Sequence, residues 1–157
     1  ENQINIGLSA YDHGHMVYVM TFRKGRSIQT RTVAGGFRLP IATCSPGIAY
    51  LAHIAASECA VVYAVLAEQH RQEWPKIQAA LDVAIRDTRK RGYSQANSVL
   101  GNAGVGTAVL GPQGSTYGLS ASYLASAGLP PHLTVEKLGE KLLSLAAEVE
   151  AAWNTSR

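Results

Sequence analysis

Ile4, Ile6 and Leu8 alternate with Asn5, Gly7 and Ser9. A two-residue period is that of a strand, whose side chains point by turns to opposite faces. Asp12-His13-Gly14-His15 follows, with residue types that tolerate left-handed backbone. Met16 to Phe22, rich in Val and Tyr, predicts a second strand that pairs with the first as a hairpin. Lys24-Gly25 predicts a further turn and Arg26 to Val33 a third strand, so the first third of the chain reads as an antiparallel meander. Ala34-Gly35-Gly36 ends it, and Leu39-Pro40 holds the chain extended, because a residue before proline disfavours helix.

Thr43 to Ala56 predicts a helix, with Ser45 as its cap and Pro46 in the first helical position. Ile48, Leu51, Ala52 and Ala55 give it a stripe suited to close packing on a sheet. A second helix runs from Ser57-Glu58 to about His70, with Val61, Val62, Val65 and Leu66 as its apolar set. A third starts near Trp74-Pro75, repeats Ile77, Leu81 and Ile85 at spacing four, and is capped by Gly92. Tyr93 to Ser98 predicts a short strand. Thr107 to Leu110 and Tyr117 to Ser122 flank Gly111-Pro112-Gln113-Gly114 as a hairpin. After Pro130-Pro131, Thr134 caps a last helix that carries Val135, Leu138, Leu142, Leu145, Val149 and Trp153 on one face. Strands, then helices, then strands, then a helix predict an α+β domain, an antiparallel sheet with helices on one side.

Composition narrows the function classes. The 157 residues suit one domain. They are 46% hydrophobic and 16% charged, which excludes a disordered chain. No apolar run reaches the roughly 18 residues of a membrane span, and Glu1 opens the chain without a charged-then-apolar leader. Cys44 and Cys59 make neither a disulfide framework nor a zinc motif and read as free thiols. A cytoplasmic protein with no cofactor and no membrane partner is expected. The net charge of +3 is too small to argue for nucleic acid. The dense basic run Arg86, Arg89, Lys90 and Arg91 falls in the last turn of the third helix, where cations meet the negative end of the dipole.

Few residues suggest chemistry. His13 and His15 lie on a turn without acidic or sulfur neighbours, and a solvated turn explains them better than a metal. Cys44 lies near a helix N-terminus, where the dipole lowers a thiol pKa; as a nucleophile it would need a base and an orienting partner. Gly101-Asn102-Ala103-Gly104-Val105-Gly106 lacks the G-x-G-x-x-G order and precedes a strand, so it is read as tight turns and not as a phosphate loop. Gly118-Leu119-Ser120-Ala121-Ser122 is not a nucleophile elbow. Ser120 and Ser122 share one face of a strand, either as surface decoration or as the polar wall of a pocket.

Several segments together resemble one family. Gly36-Phe37-Arg38-Leu39-Pro40-Ile41-Ala42-Thr43-Cys44-Ser45-Pro46-Gly47-Ile48-Ala49 resembles the loop-to-helix signature of the IclR (isocitrate lyase regulator) transcription factors. Arg89-Lys90-Arg91-Gly92-Tyr93-Ser94 is similar to their R-x-R-G-Y, Leu119-Ser120-Ala121-Ser122 to their L-S-V-S strand, and Asn5 to Tyr18 to their opening hairpin. The resemblance implies that residues 1–157 form the effector-binding domain, with a curved antiparallel sheet and packed helices, profilin-like or GAF-like. It also implies a winged helix-turn-helix outside this chain as the only DNA contact, and dimers or tetramers of the regulator. There are departures: Ala42 or Thr43 stands in place of a histidine, Ile48 in place of a lysine, and Gln95-Ala96-Asn97-Ser98 in place of an acidic cluster.

The leading expectation is a sensor of a small organic anion. The start of the helix at Cys44, Ser45 and Gly47 would offer N–H groups, aided by the dipole. On the resemblance, Ser120 and Ser122 would donate from the L-S-V-S strand, and Arg31 would grip a carboxylate with two bonds. Ile28 and Leu39 would give the apolar wall. Two other readings stand beside it: a thiol or serine hydrolase using Cys44 or Ser120, and a dimerisation domain that binds no ligand.

Overall fold

A computed structural model describes residues 3–23, 36–97 and 101–155. Strands β1 (Asn5–Asp12) and β2 (His15–Arg23) form the expected hairpin. His13 (φ 44°) and Gly14 (φ 83°) are both left-handed, as a two-residue hairpin turn requires. Beyond β2, the expected third strand with Ile28 and Arg31 lies outside the described residues. The strand that pairs with β2 on its other side is the short β3 (Arg38–Pro40), the extended stretch before the helix.

Three helices follow: α1 (Ser45–His53), α2 (Ala56–His70) and α3 (Trp74–Arg91). The first is shorter than its sequence pattern suggests. Cys44 is extended (φ −102°, ψ 146°) and is the cap, while Ser45 and Pro46 are already helical. Ile54 is again extended and breaks the run, and the Glu58 carboxylate accepts from Ala55 N–H at 3.2 Å where the second helix begins. Gly92 (φ 85°) ends α3 in the left-handed cap expected of it. In α2 the buried pair is Val62 and Leu66, whereas Val61 stands 65% exposed.

Strands β4 (Ser94–Asn97), β5 (Asn102–Leu110) and β6 (Thr116–Leu124) complete the sheet. A short 3₁₀ turn at Pro112–Gly114 joins β5 to β6, and α4 (Val135–Thr155) ends the chain, its first turn capped by the Thr134 hydroxyl. All pairings are antiparallel, in the order β3-β2-β1-β6-β5-β4. The sheet is curled, and the architecture is α+β as expected.

The helices do not all lie on one side. One core cluster joins Met16 and Ile41 to Ile48 and Leu51 of α1, Val62 and Leu66 of α2, and Leu81 and Ile85 of α3. The other joins Val105, Val109, Leu119 and Ala121 of β5 and β6 to Leu138, Leu142 and Ala146 of α4. These positions alternate along each strand with the ones that α1 covers, so α4 seals the opposite face.

The glycine-rich segment is also corrected. Gly101 (φ 78°) makes a turn, but Gly104 and Gly106 lie inside β5. A side chain at Gly106 would meet the Ser45 carbonyl at 2.5 Å and Pro46 N at 2.8 Å, and one at Gly118 would come within 2.8 Å of Pro46 Cβ. The first turn of α1 therefore lies with its backbone directly on two neighbouring strands. These glycines serve close approach, not turning.

Gly106→Ala tests this contact. The opposing atoms are backbone and cannot swing away. The substitution is expected to cost about 1–3 kcal/mol or more, read as a lower midpoint in urea with an unchanged slope. A midpoint equal to wild type would show that α1 is not held at this distance.

Candidate functional site

Cross-strand partners in an antiparallel sheet project to the same face. Gly7 pairs with Ser120 and Ser120 with Gly106; Asn5 pairs with Ser122 and Ser122 with Gly104; Ser9 pairs with Tyr18 and with Gly118. All of these lie on the face under α1, and Ser94, the partner of Gly106, joins them. The alternating polar set of the first strand is thus an inner one: Gly7 and Ser9 are buried, while Ile4, Ile6 and Leu8 pack toward α4.

Three of the hydroxyls on this face, those of Ser94, Ser9 and Ser120, are engaged. Ser94 Oγ donates to the Ser45 carbonyl at 2.5 Å and lies 3.2 Å from the Gly106 carbonyl, tying β4 to the start of α1. Ser9 Oγ donates to the Gly118 carbonyl at 3.1 Å. Ser120 Oγ lies 3.5 Å from the Gly7 carbonyl, to which it can donate, and 3.3 Å from the Tyr18 phenol oxygen, a contact in which either hydroxyl can be the donor. A side chain at Gly7 would run into the Tyr18 ring. Tyr18 therefore reaches from β2 across Gly7 of β1 to Ser120 of β6.

The residues expected to form the site divide as follows. Cys44, Ser45 and Gly47 are buried at the start of α1. Gly47 fits there because a side chain would strike the backbone of Ile41, and its N–H points at the Cys44 sulfur. Pro46 has no N–H, so this helix start offers an anion fewer donors than its sequence suggests. Ser120 is buried and Ser122 half-buried on the floor. Leu39 pairs with Met16 and packs into the first core cluster. Ile28 and Arg31 lie outside the described residues.

Tyr18, Gly7, Ser9 and Ser94 belong to the same floor and were not singled out from sequence. The available signal was the two-residue period that places Tyr18 with Met16 and Gly7 with Ser9.

Burial governs the electrostatics. It pushes the Cys44 thiol up to about 12, against a smaller opposing effect of the Gly47 N–H. It raises Tyr18 as well, with the Ser120 hydrogen bond working the other way. At neutral pH both are uncharged. Among the described residues no acid or base is a partner of either proposed nucleophile: the partners of Ser120 are a phenol and a carbonyl, and His53 ends α1 about 13 Å from Cys44 at the helical rise per residue. A neutral thiol without a base is a poor nucleophile, and the described residues supply no base for the hydrolase reading.

Elsewhere, His15 Nδ1 lies 3.3 Å from the His13 carbonyl at the exposed hairpin tip. Among the described residues no group of three or more His, Cys, Asp or Glu could hold a metal ion, and no helix is long and apolar enough to cross a membrane. A cleft of about 240 Å³ opens between α1, α3 and β5, with Ala52, Thr88, Arg89 and Thr107 in its wall. The basic run has structural work: Arg89 Nε donates to the Ala52 carbonyl at 3.0 Å, and Arg91 stacks 5.5 Å over Tyr93.

Two measurements follow from Cys44. An aromatic disulfide reagent at pH 8 is expected to titrate only the half-buried Cys59 in the native chain and both thiols in denaturant; rapid native reaction of both would contradict the burial. The thiol also makes folding pH-dependent. Its folded pKa is above its unfolded value, so the unfolded chain loses this proton first as pH rises. The stabilising contribution is complete below about 9 and is lost between about 9 and 12. Cys44→Ala is expected to flatten the fall in stability across that window.

The fold has many solved counterparts. An IclR-family transcriptional regulator from Brucella abortus superposes with a TM-score of 0.81 at 23% identity, over 94% of this chain and 56% of that one. A putative transcriptional regulator from Rhodococcus sp. RHA1 gives 0.73 at 22%, over 98% and 63%. The IclR of Thermotoga maritima gives 0.62 at 21%, over 92% and 57%. This chain thus spans little more than half the length of those regulators. No family model matches the chain, and no curated protein does. The fold of this chain is the one found in IclR-family transcriptional regulators, over the part that they share with it.

Proposed function

We propose that the chain is the effector-sensing and oligomerisation domain of an IclR-family transcriptional regulator and that it senses a small organic anion. The observation that carries this reading is a coincidence of sequence and place. The two segments that most resemble the family, Gly36 to Ala49 and Leu119 to Ser122, fall on β3–α1 and on β6. They meet on one buried polar floor, in a fold that regulators share over 94% of this chain. A fold match alone would not choose a function.

In this reading the ligand binds on the floor beside Ser120 and Ser122, near the start of α1 at Cys44, Ser45 and Gly47. Leu39 and Ile28 are on the apolar side. The floor itself is neutral, so the countercharge falls to Arg31, on the segment joining β2 to β3. The signal would be a population shift: the ligand favours one arrangement of sheet and loops, and subunit geometry carries the difference to the DNA reader. That reader would lie outside these residues, in keeping with the greater length of the solved regulators. Self-association has some support in the exposed apolar side chains Val19, Met20 and Phe22 of β2 and Val61 of α2. The domain is read as cytoplasmic and without enzymatic activity. One observation favours the ligand-free alternative: the Ser120 hydroxyl already has partners within the chain.

A thermal-shift screen of small carboxylates against matched neutral amides tests the reading. An acid at a hundred times its dissociation constant is expected to add about 2.7 kcal/mol of stability, and Arg31→Ala and Ser120→Ala to reduce the response. Equal stabilisation by amides, or an acid response that both variants retain, would refute the anion site.

A further inference from the structure

We infer that the Tyr18 phenol is a built-in occupant of the effector floor, which a ligand must displace to reach Ser120. The inference rests on the sensing reading above for the identity of the site; the contact itself is independent of it.

Tyr18 is 8% exposed and Ser120 1%. The ring lies over Gly7, where any larger residue would collide with it. Its hydroxyl ends a short chain of bonds, from Tyr18 to Ser120 Oγ at 3.3 Å and from Ser120 to the Gly7 carbonyl at 3.5 Å. The partner of Ser120 is thus a hydroxyl on a six-membered ring that arrives from across the sheet, and with the Gly7 carbonyl it leaves that serine partnered. Burial keeps the phenol neutral, and a neutral hydroxyl fills the place without adding charge. Both bonds are long for O–H···O contacts, and a ligand oxygen would compete with weak partners. Tyr18 is also on β2, the strand that precedes the segment carrying Arg31.

In population terms, the binding-competent fraction is the fraction with Tyr18 withdrawn, and the apparent dissociation constant is the intrinsic one divided by that fraction. Tyr18 would then set the sensor's threshold. A ligand that replaces the phenol would also free β2 from its tie across β1, a local change of the kind a population shift requires.

The test uses p-cresol, the tyrosine side chain as a free molecule, on Tyr18→Ala. Expected is a rise in melting temperature of Tyr18→Ala with p-cresol, a smaller rise with toluene, and little response in wild type. Ser120→Ala in the same background is expected to abolish the difference between p-cresol and toluene. If Tyr18→Ala is unfolded alone, folding on addition of p-cresol supports the same conclusion. A variant that p-cresol neither stabilises nor folds, or an equal response in wild type, overturns it.

Tyr18→Phe supplies the second arm. It keeps the ring and removes the hydroxyl. An organic acid that binds wild type is expected to half-saturate Tyr18→Phe at about fivefold lower concentration, the equivalent of one ordinary net hydrogen bond. Acids that bind both proteins equally overturn the inference and leave the organic-acid reading intact. Acids that bind neither protein, with p-cresol still filling Tyr18→Ala, have the opposite meaning: the occupant stands and the organic-acid reading falls.

Discussion

The backbone of α1 rests on the backbone of the sheet, and the rest of the inner face depends on that contact. Ser45 and Pro46 sit over Gly106 and Gly118, which are on neighbouring strands. At this distance no side chain fits between, so the two strands carry glycine where they would otherwise carry a β-branched residue. The helix start is then locked by one hydroxyl, Ser94, donating to the Ser45 carbonyl. That carbonyl also accepts within the helix, so the serine supplies it with a second donor and ties β4 to α1.

The contact also explains why the face is polar. A helix held this low over Gly106 and Gly118 leaves no depth for leucine or isoleucine beneath it. Serine and glycine remain, and each hydroxyl finds a carbonyl: Ser9 that of Gly118, Ser120 that of Gly7. Hydrophobic burial happens to either side. Ile48 and Leu51 of α1 pack outward into α2 and α3, and the opposite face of the sheet is sealed by Leu138, Leu142 and Ala146 of α4. The molecule has two apolar cores separated by a sheet whose inner surface is small and polar, and such a surface can accept a polar ligand or a polar side chain.

The helices were legible because their signals are local. Gly92 past the end of α3, Thr134 before α4, and the spacings of three and four on Leu81 and Leu142 all act within a turn or two. The α+β class followed from their order. The inner floor was harder to read, because its meaning comes from what lies across the sheet. Asn5, Gly7 and Ser9 are polar or small and alternate with Ile4, Ile6 and Leu8, the usual mark of a solvent face. They are turned inward because a second layer covers each side. Gly104 and Gly106 read as turn formers for the same reason: nothing in the local sequence says that a helix from far earlier in the chain presses on them. The family resemblance did point to the right elements, since its two strongest segments converge on this floor. It did not point to Tyr18, which lies in the opening hairpin and reaches the floor only by spanning β1.

Charge separates what the floor can do from what it can hold. Catalysis by Cys44 or Ser120 would need a base to take a proton in the transition state. The structure surrounds Cys44 with apolar contacts that keep it protonated to about 12, and gives Ser120 a neutral phenol and a backbone carbonyl as partners. Neither a neutral phenol nor an amide carbonyl is basic enough to take the serine proton at neutral pH. The same arrangement suits reversible binding, in which neutral donors and acceptors exchange partners without any proton changing hands. An anion placed there would still lack a full positive charge among the described groups of the floor, since the dipole of α1 supplies only a partial one and the Gly47 N–H is already directed to sulfur. The anion reading therefore demands a cation from outside the described floor, and the sequence carries three, Lys24, Arg26 and Arg31, between β2 and β3.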